Sequence, residues 1–285
     1  MFASLLCPVA GADGDRSSLA AAAAMAHGFG AHVRVLHVRP DPAAMLPYLG
    51  EGMSPGMIES LIADAEGRAE ARAATARTAF AAWAEARGLA QRDMPAVAGG
   101  ASCAWHQETG AEDAWIARHG RLADLIVLSA TQPEPALAVT ASAEAALFDT
   151  GRPVLLAPTL PLAVDGIALV AWNGSSQAAR AVGAALPLLA RARAVHVVTI
   201  AEGAQPADPA ALVAYLAWHR IAATAQAHGR GEGSVAEAID RTASTCGAGL
   251  LVMGAYTHSR LRELIFGGVT AHVLRACRRP TLLAH

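Results

Sequence analysis

The residues best placed to do chemistry stand in one stretch near the end of the chain. It runs Gly254-Ala255-Tyr256-Thr257-His258-Ser259-Arg260-Leu261-Arg262 and then, after Glu263-Leu264-Ile265-Phe266, Gly267-Gly268-Val269-Thr270. Gly254 ends a continuously apolar run, so the backbone can turn there and approach a ligand with no side chain in the way. Gly267 and Gly268 precede a helical pattern, Val269–Ala276, where unpaired N–H groups and the helix dipole favour an anion. Thr270 adds a hydroxyl in the first turn, and His258 sits inside the loop. Arg260 and Arg262 either supply positive charge there or lie in solvent. The chemistry this suggests is the cradling of phosphate by main-chain amides. The competing reading is a glycine-rich turn that caps a helix and binds nothing.

A second loop belongs with the first. Asn173-Gly174-Ser175 follows another apolar run, Ile167–Ala171, and its asparagine is either a hydrogen-bonding group for a ligand or a turn residue that starts a helix. The equivalent stretches of the N-terminal half have a different character. The loop after the first run reads Ala10-Gly11-Ala12-Asp13-Gly14-Asp15, with Asp13 as a turn or cap residue. The later loop, Ser129–Glu144, has no glycine, contains Pro133 and Pro135, and carries Glu134 and Glu144, which repel phosphate. Phosphate binding is therefore expected in the C-terminal half alone. Trp105-His106-Gln107-Glu108 is the most conspicuous polar cluster of the first half, and His106 is expected beyond a strand end, at the surface or beside a cap.

Other chemistries are excluded or weak. Gly52-Met53-Ser54-Pro55-Gly56 is a literal G-x-S-x-G but follows no buried strand, so it lacks the setting of a nucleophile elbow. There is no P-loop and no early G-x-G-x-x-G. The 11 histidines and four cysteines show no metal-ligand spacing. Cys7 and Cys277 are expected in the core, Cys103 and Cys246 nearer the surface. All 22 basic side chains are arginine, so lysine chemistry is excluded. No catalytic residue is assigned.

These loops need elements to hold them, and the sequence supplies the elements twice. Ser4–Gly11 matches Ile167–Gly174, and the helical stretches Ser17–His27 and Gln177–Leu186 follow. His32–Val38 matches Ala194–Ile200, Asp124–Ala130 matches Gly249–Ala255, and each half closes with Arg-Pro and a short strand, at Arg152-Pro153 and Arg279-Pro280. The offset between halves is 163 at Gly11 and Gly174 and 162 at Val38 and Ile200 but 125 at Leu125 and Leu250, which places about 37 extra residues between the second strand and the late buried strand of the first half. That insertion holds a Pro-, Gly- and Met-rich segment, Asp41–Pro55, and a long helical pattern over Glu59–Arg87. Pro158–Leu162 reads as a short, semi-rigid linker. Runs such as Leu125–Leu128 and Leu250–Met253 are apolar throughout, the mark of strands buried on both faces and hence parallel. The expected architecture is α/β: two tandem doubly wound, Rossmann-like domains. Ligands of such sheets sit beyond the carboxyl ends of the strands, where strand order reverses.

Composition limits the rest. With 54% hydrophobic and 16% charged residues the chain is not disordered. Much of the apolar fraction is alanine, and no apolar run approaches the roughly 20 residues of a membrane span. Net charge is −2, with no strongly basic stretch to suggest nucleic acid. The N-terminus lacks a basic leader region, so a cytoplasmic location is expected.

With these residues in view, both halves resemble the universal stress protein family. Its ATP-binding members carry a glycine, two residues, a second glycine, nine residues, then a glycine followed by serine or threonine. Here Gly254 and Gly267 fill the outer positions. Thr257 replaces the second glycine, and Gly268 follows Gly267, with Thr270 beyond. Family binders place an aspartate after the first strand, where this chain has Asn173. The resemblance implies a five-stranded parallel sheet in each half, the halves associating through their last strands as a dimer-like unit, and chains pairing further as homodimers. It implies residues 1–158 as a degenerate domain with a long helical insertion and residues 164–285 as a domain keeping part of the nucleotide loop. It implies a stress-response or regulatory role, with ATP or another adenine nucleotide, accompanied by Mg2+, as ligand or slow substrate. The nucleotide contacts carried over are Asn173, Gly174, Gly254, Thr257, His258, Gly267, Gly268, Val269 and Thr270. The alternative is a nucleotide-free scaffold of the same fold, whose long first-half helix contacts a protein partner.

Overall fold

The computed structural model describes residues 1–42, 54–94, 99–130, 141–201, 206–255 and 269–285. The strands are β1 (Ser4–Pro8), β2 (His32–Arg39), β3 (Ala90–Gln91), β4 (Ser102–Thr109), β5 (Leu125–Ser129), β6 (Val154–Ala157), β7 (Ile167–Ala171), β8 (Ala194–Ala201), β9 (Ala223–Gly229), β10 (Leu250–Gly254) and β11 (Thr281–Ala284). They form one sheet in the order β3-β4-β2-β1-β5-β6-β11-β10-β7-β8-β9. Every neighbouring pair is parallel except β6 and β11, which run antiparallel with Leu282 opposite Leu155. In the first half β1 is central, with β2, β4 and β3 to one side and β5 and β6 to the other; in the second half β7 is central, with β8 and β9 to one side and β10 and β11 to the other. Strand order therefore reverses between β1 and β5 and again between β7 and β10.

The expected five parallel strands are present in each half, and the last strands of the two halves join them. The first half has a sixth, two-residue strand that the sequence reading lacked. Leu89 is buried, so the chain leaving the long helix is held down beside β4, and the Arg92 amide donates to the Cys103 carbonyl at 2.8 Å. A pair of residues is thus drawn into register with Ser102 and Cys103.

The helices are α1 (Asp15–Phe29), α2 (Pro55–Ala86), α3 (Glu112–Gly120), α4 (Ser176–Leu189), α5 (Pro209–Trp218), α6 (Val235–Thr245) and α7 (Val269–Ala276), with a π-helical turn at Ala145–Asp149. Alanine serves close packing in α1, where Ala21, Ala22, Ala23 and Ala26 are all buried against the sheet. α4 is capped by Ser175 and runs through Pro187. α6 begins with a reciprocal capping box of Ser234 and Glu237. α2 has 32 residues, yet its buried positions, Ala69, Ala73, Ala76, Phe80 and Ala84, all lie in its C-terminal part.

Two apolar cores cover the two faces of the sheet, and each continues across the β6–β11 seam. One contains α1 and α4 with Leu125, Leu155, Leu282 and Val252; the other contains Ile126, Leu156, Leu283 and Met253. Further contacts tie the halves together. Arg191 lies over the Phe29 ring at 5.4 Å, His285 meets Phe148 edge-on at 4.6 Å, and Val164 packs on Gly28. Residues 158–166 have no regular structure, but Leu162 is buried in the core. Cys7 is buried as expected. Cys103 is buried too, against expectation, and Cys277 is only half-buried. Cys103 belongs to the inward face of β4, whereas Cys277 follows α7 and reaches the carbonyl of Arg279.

Candidate functional site

In the second half, Met253 of β10 pairs with Ala171 of β7, so the chain leaves both strands side by side at the point where strand order reverses. Asn173, Gly174 and Gly254 are therefore brought together at the carboxyl edge. α7 connects the parallel strands β10 and β11, so its first residues, Val269 and Thr270, begin at the same edge. Val269 packs against the core and Thr270 is buried. Thr257, His258, Gly267 and Gly268 lie outside the described residues, as does residue 256 and the remainder of that loop.

The β7–α4 loop is held by its own side chains. The Asn173 Oδ1 accepts from the Ser175 amide at 3.2 Å and the Ser175 hydroxyl at 2.7 Å. The Ser175 Oγ in turn accepts from the Ala178 amide at 3.1 Å and caps α4. Thr199 donates to the Trp172 carbonyl at 2.9 Å and fixes the strand end. Gly174 has φ +75°, a conformation that suits glycine. With both lone pairs of Oδ1 engaged, the part of the Asn173 side chain left for a ligand is its NH2 group.

Gly254 has a packing reason of its own. A Cβ there would stand 2.5 Å from the Ala178 amide nitrogen and 2.8 Å from the Gln177 carbonyl carbon. Only glycine lets the first turn of α4 settle onto the end of β10. The positive dipole end of the helix is thereby held at the switch point.

The same place in the first half is built differently. Asp15, the first residue of α1 and only 7% exposed, turns back onto the β1–α1 loop. Its Oδ1 accepts from the Ala10 amide at 3.0 Å, and its Oδ2 from the Gly11 and Ala12 amides at 2.7 and 3.0 Å. Gly11, at φ +78°, lies under α2, where a Cβ would stand 2.7 Å from the Arg72 carbonyl oxygen. Ser129 stands where the second half has Gly254, and its hydroxyl meets that of Ser17 at 3.0 Å. His37 donates through Nδ1 to the Val9 carbonyl at 2.9 Å, replacing Thr199, and stacks on Trp105. Asp15 was not singled out from the sequence; Asp13, which was, is exposed and pairs with Arg16. The available signal was an acid at the first helical position after a glycine-containing loop.

His106 corrects another expectation. It lies within β4 rather than beyond its end, half-buried, its ring against that of His119. Burial lowers its pKa, and His119 and Arg34 act in the same direction. His32, on the neighbouring strand and bonded to Ser102, is lowered chiefly by burial as well. The other conspicuous polar knot is structural. Arg279, buried, donates to the Ala248 carbonyl at 3.0 Å and to the Ser244 hydroxyl at 3.0 Å, and lies 3.9 Å from Asp240. Among the described residues no group of three His, Cys, Asp or Glu could hold a metal ion.

Fold and switch-point geometry together define a tandem doubly wound α/β protein. The universal stress protein family model matches residues 167–285, the second half of the chain. No curated protein sequence matches the chain. A universal stress protein from Archaeoglobus fulgidus DSM 4304 is similar in structure over 99% of this chain and 97% of its own, with 17% identity and a TM-score of 0.69. A functionally unknown protein from Pseudomonas aeruginosa PAO1 is similar over 99% of this chain and 92% of its own, at 17% identity and a TM-score of 0.50. At these identities the likeness is one of fold. It spans both halves, whereas the family model spans the second.

Among the described residues, no helix is long and apolar enough to cross a membrane.

Proposed function

We propose that the chain is a stress-response or regulatory protein that binds an adenine nucleotide, ATP, in its C-terminal half, residues 164–285, while residues 1–158 form a degenerate copy of the same domain. The observation that carries this is the convergence of Asn173, Gly174 and the α4 N-terminus on Gly254 at the β7–β10 switch point. α4 opens Ser176-Gln177-Ala178, so no carboxylate from that turn occupies the loop. The Asn173 NH2 would donate to a ribose or base edge. The amides of Gly254, Gly267 and Gly268, with the Thr257, His258 and Thr270 side chains, would meet the phosphates. Mg2+ would arrive with the nucleotide, bound mainly by phosphate oxygens and water, since the described residues offer no metal cage. A cytoplasmic location belongs to this reading.

Nucleotide released from the denatured protein, identified by mass spectrometry, is the direct test, together with thermal unfolding in ATP, ADP and AMP. Saturating ligand raises stability by RT ln(1 + [L]/Kd), so ATP at a hundredfold excess over Kd adds about 2.7 kcal/mol. No released nucleotide and no shift with any of the three contradicts the proposal.

A second reading is favoured by α2. Its N-terminal part stands clear of the sheet, with Met57 and Leu61 exposed. On that reading the chain is a nucleotide-free scaffold, Gly254 is explained by packing alone, and a protein partner or a second copy covers α2. It is distinguished by the same unfolding experiment, which it expects to be flat.

A further inference from the structure

In the first half the loop amides that open the switch point already have an anion, and it belongs to the chain. Asp15 receives the amides of three successive residues, Ala10, Gly11 and Ala12, at 2.7–3.0 Å. Three N–H groups converging on one point form a nest, a general binding element for negative charge. The corresponding stretch of the second half supplies no carboxylate, because α4 begins with Ser176-Gln177-Ala178, and its Ser175 amide goes to the neutral Asn173 Oδ1 instead. The first-half nest is closed from above too. α2 lays the carbonyl of Arg72 against Gly11 so closely that a Cβ would not fit, and Asp15 is almost wholly buried. At the neighbouring strand end, the Ser17 and Ser129 hydroxyls bond to each other.

We propose that Asp15 is a resident anion that shuts the first-half cleft. It satisfies in cis the amides that would otherwise receive an external carboxylate or phosphate, and it limits the chain to one anion-binding switch point. This explanation for a silent first half does not depend on residues 131–144, and it stands whether or not the second half binds a nucleotide. The nest itself is competent; what closes it is its own side chain, backed by α2.

The test uses the full chain. Asp15→Ala removes a carboxylate and leaves a space of that size lined by three donors. Formate is the probe, with chloride at equal ionic strength as control. Wild type is expected to unfold at the same temperature in both salts. Asp15→Ala is expected to lose about 5 °C or more in chloride, since hydrogen bonds to a charged group are lost, and to recover saturably in formate. Asp15→Asn keeps the volume but not the charge, and is expected to be destabilised without recovery in formate. Should Asp15→Ala fail to fold in chloride, the yield on refolding in formate against chloride gives the same reading. The proposal is overturned if Asp15→Ala is as stable as wild type in chloride, if formate does not restore it, or if formate restores Asp15→Asn equally.

Discussion

Gly254 shows how one position can look like a ligand contact and be required for packing as well. A side chain there meets the main chain of Gln177 and Ala178, which cannot move without lifting the first turn of α4 off the sheet. Gly254→Ala is therefore expected to cost about 1–3 kcal/mol, the usual price of forcing a methyl into a filled space, read as a lower urea midpoint with unchanged slope. An unchanged midpoint would mean that the helix sits higher than described. Asn173 does one of its two expected jobs: its oxygen accepts from the Ser175 amide and hydroxyl and orders the turn. Asp15 escaped notice because an acid at a helix start is ordinary capping chemistry. Nothing in the letters says that its carboxylate turns backward onto three amides; that depends on the path of the Ala10–Gly14 loop and on α2 above it.

The long helix and the outer strands of the first half test how elements divide stability. Burial in α2 is confined to the part from Ala69 onward, where Phe80 packs against Trp83 and Trp105. Phe80→Ala is expected to cost about 3–5 kcal/mol by leaving a cavity. Leu61→Glu, on the projecting part, is expected to stay within about 0.5 kcal/mol of wild type by urea unfolding. Equal effects would mean that the N-terminal turns are packed after all. On β2 and β4, His32 and His106 have pKa values held below normal, largely by burial. The unfolded chain therefore binds more protons than the folded one once pH falls below about 6.5, and stability is expected to fall from there toward the depressed folded values. Urea unfolding across pH 5–8 reads this, and His32→Asn should flatten the profile; a profile equally steep in the variant would place the effect elsewhere. Elements of this kind were largely legible in the sequence. Continuous apolar runs gave the central strands and alanine-rich periodicity gave α1, α2 and α4, because burial on both faces and helical spacing leave plain patterns. β3 was not legible, since two residues have no period, and neither was the passage of α4 through Pro187. His106 was misplaced because β4 remains a strand through polar residues near the sheet edge.

The two halves share more than a repeat. A single sheet and two continuous cores cross the β6–β11 seam, which leaves no boundary for independent unfolding. Tryptophans lie in both halves, and fluorescence and far-UV circular dichroism are expected to follow one coincident urea transition; separate transitions would contradict a shared core. The antiparallel seam points the carboxyl edges of the two half-sheets in opposite directions, so the switch points lie at opposite ends of the molecule. One is filled by Asp15, and the other is where a nucleotide is proposed to bind. Duplication and fold class could be read from the sequence because the landmarks recur in order. The inequality of the two sites could be read only in part, from residues that lie outside those described. Calorimetric titration of ATP into the full chain tests this asymmetry most directly. One site per chain is expected, with affinity lost in Gly174→Val, whose branched side chain opposes the φ of +75°. Two equal sites per chain, or no binding at all, would contradict it.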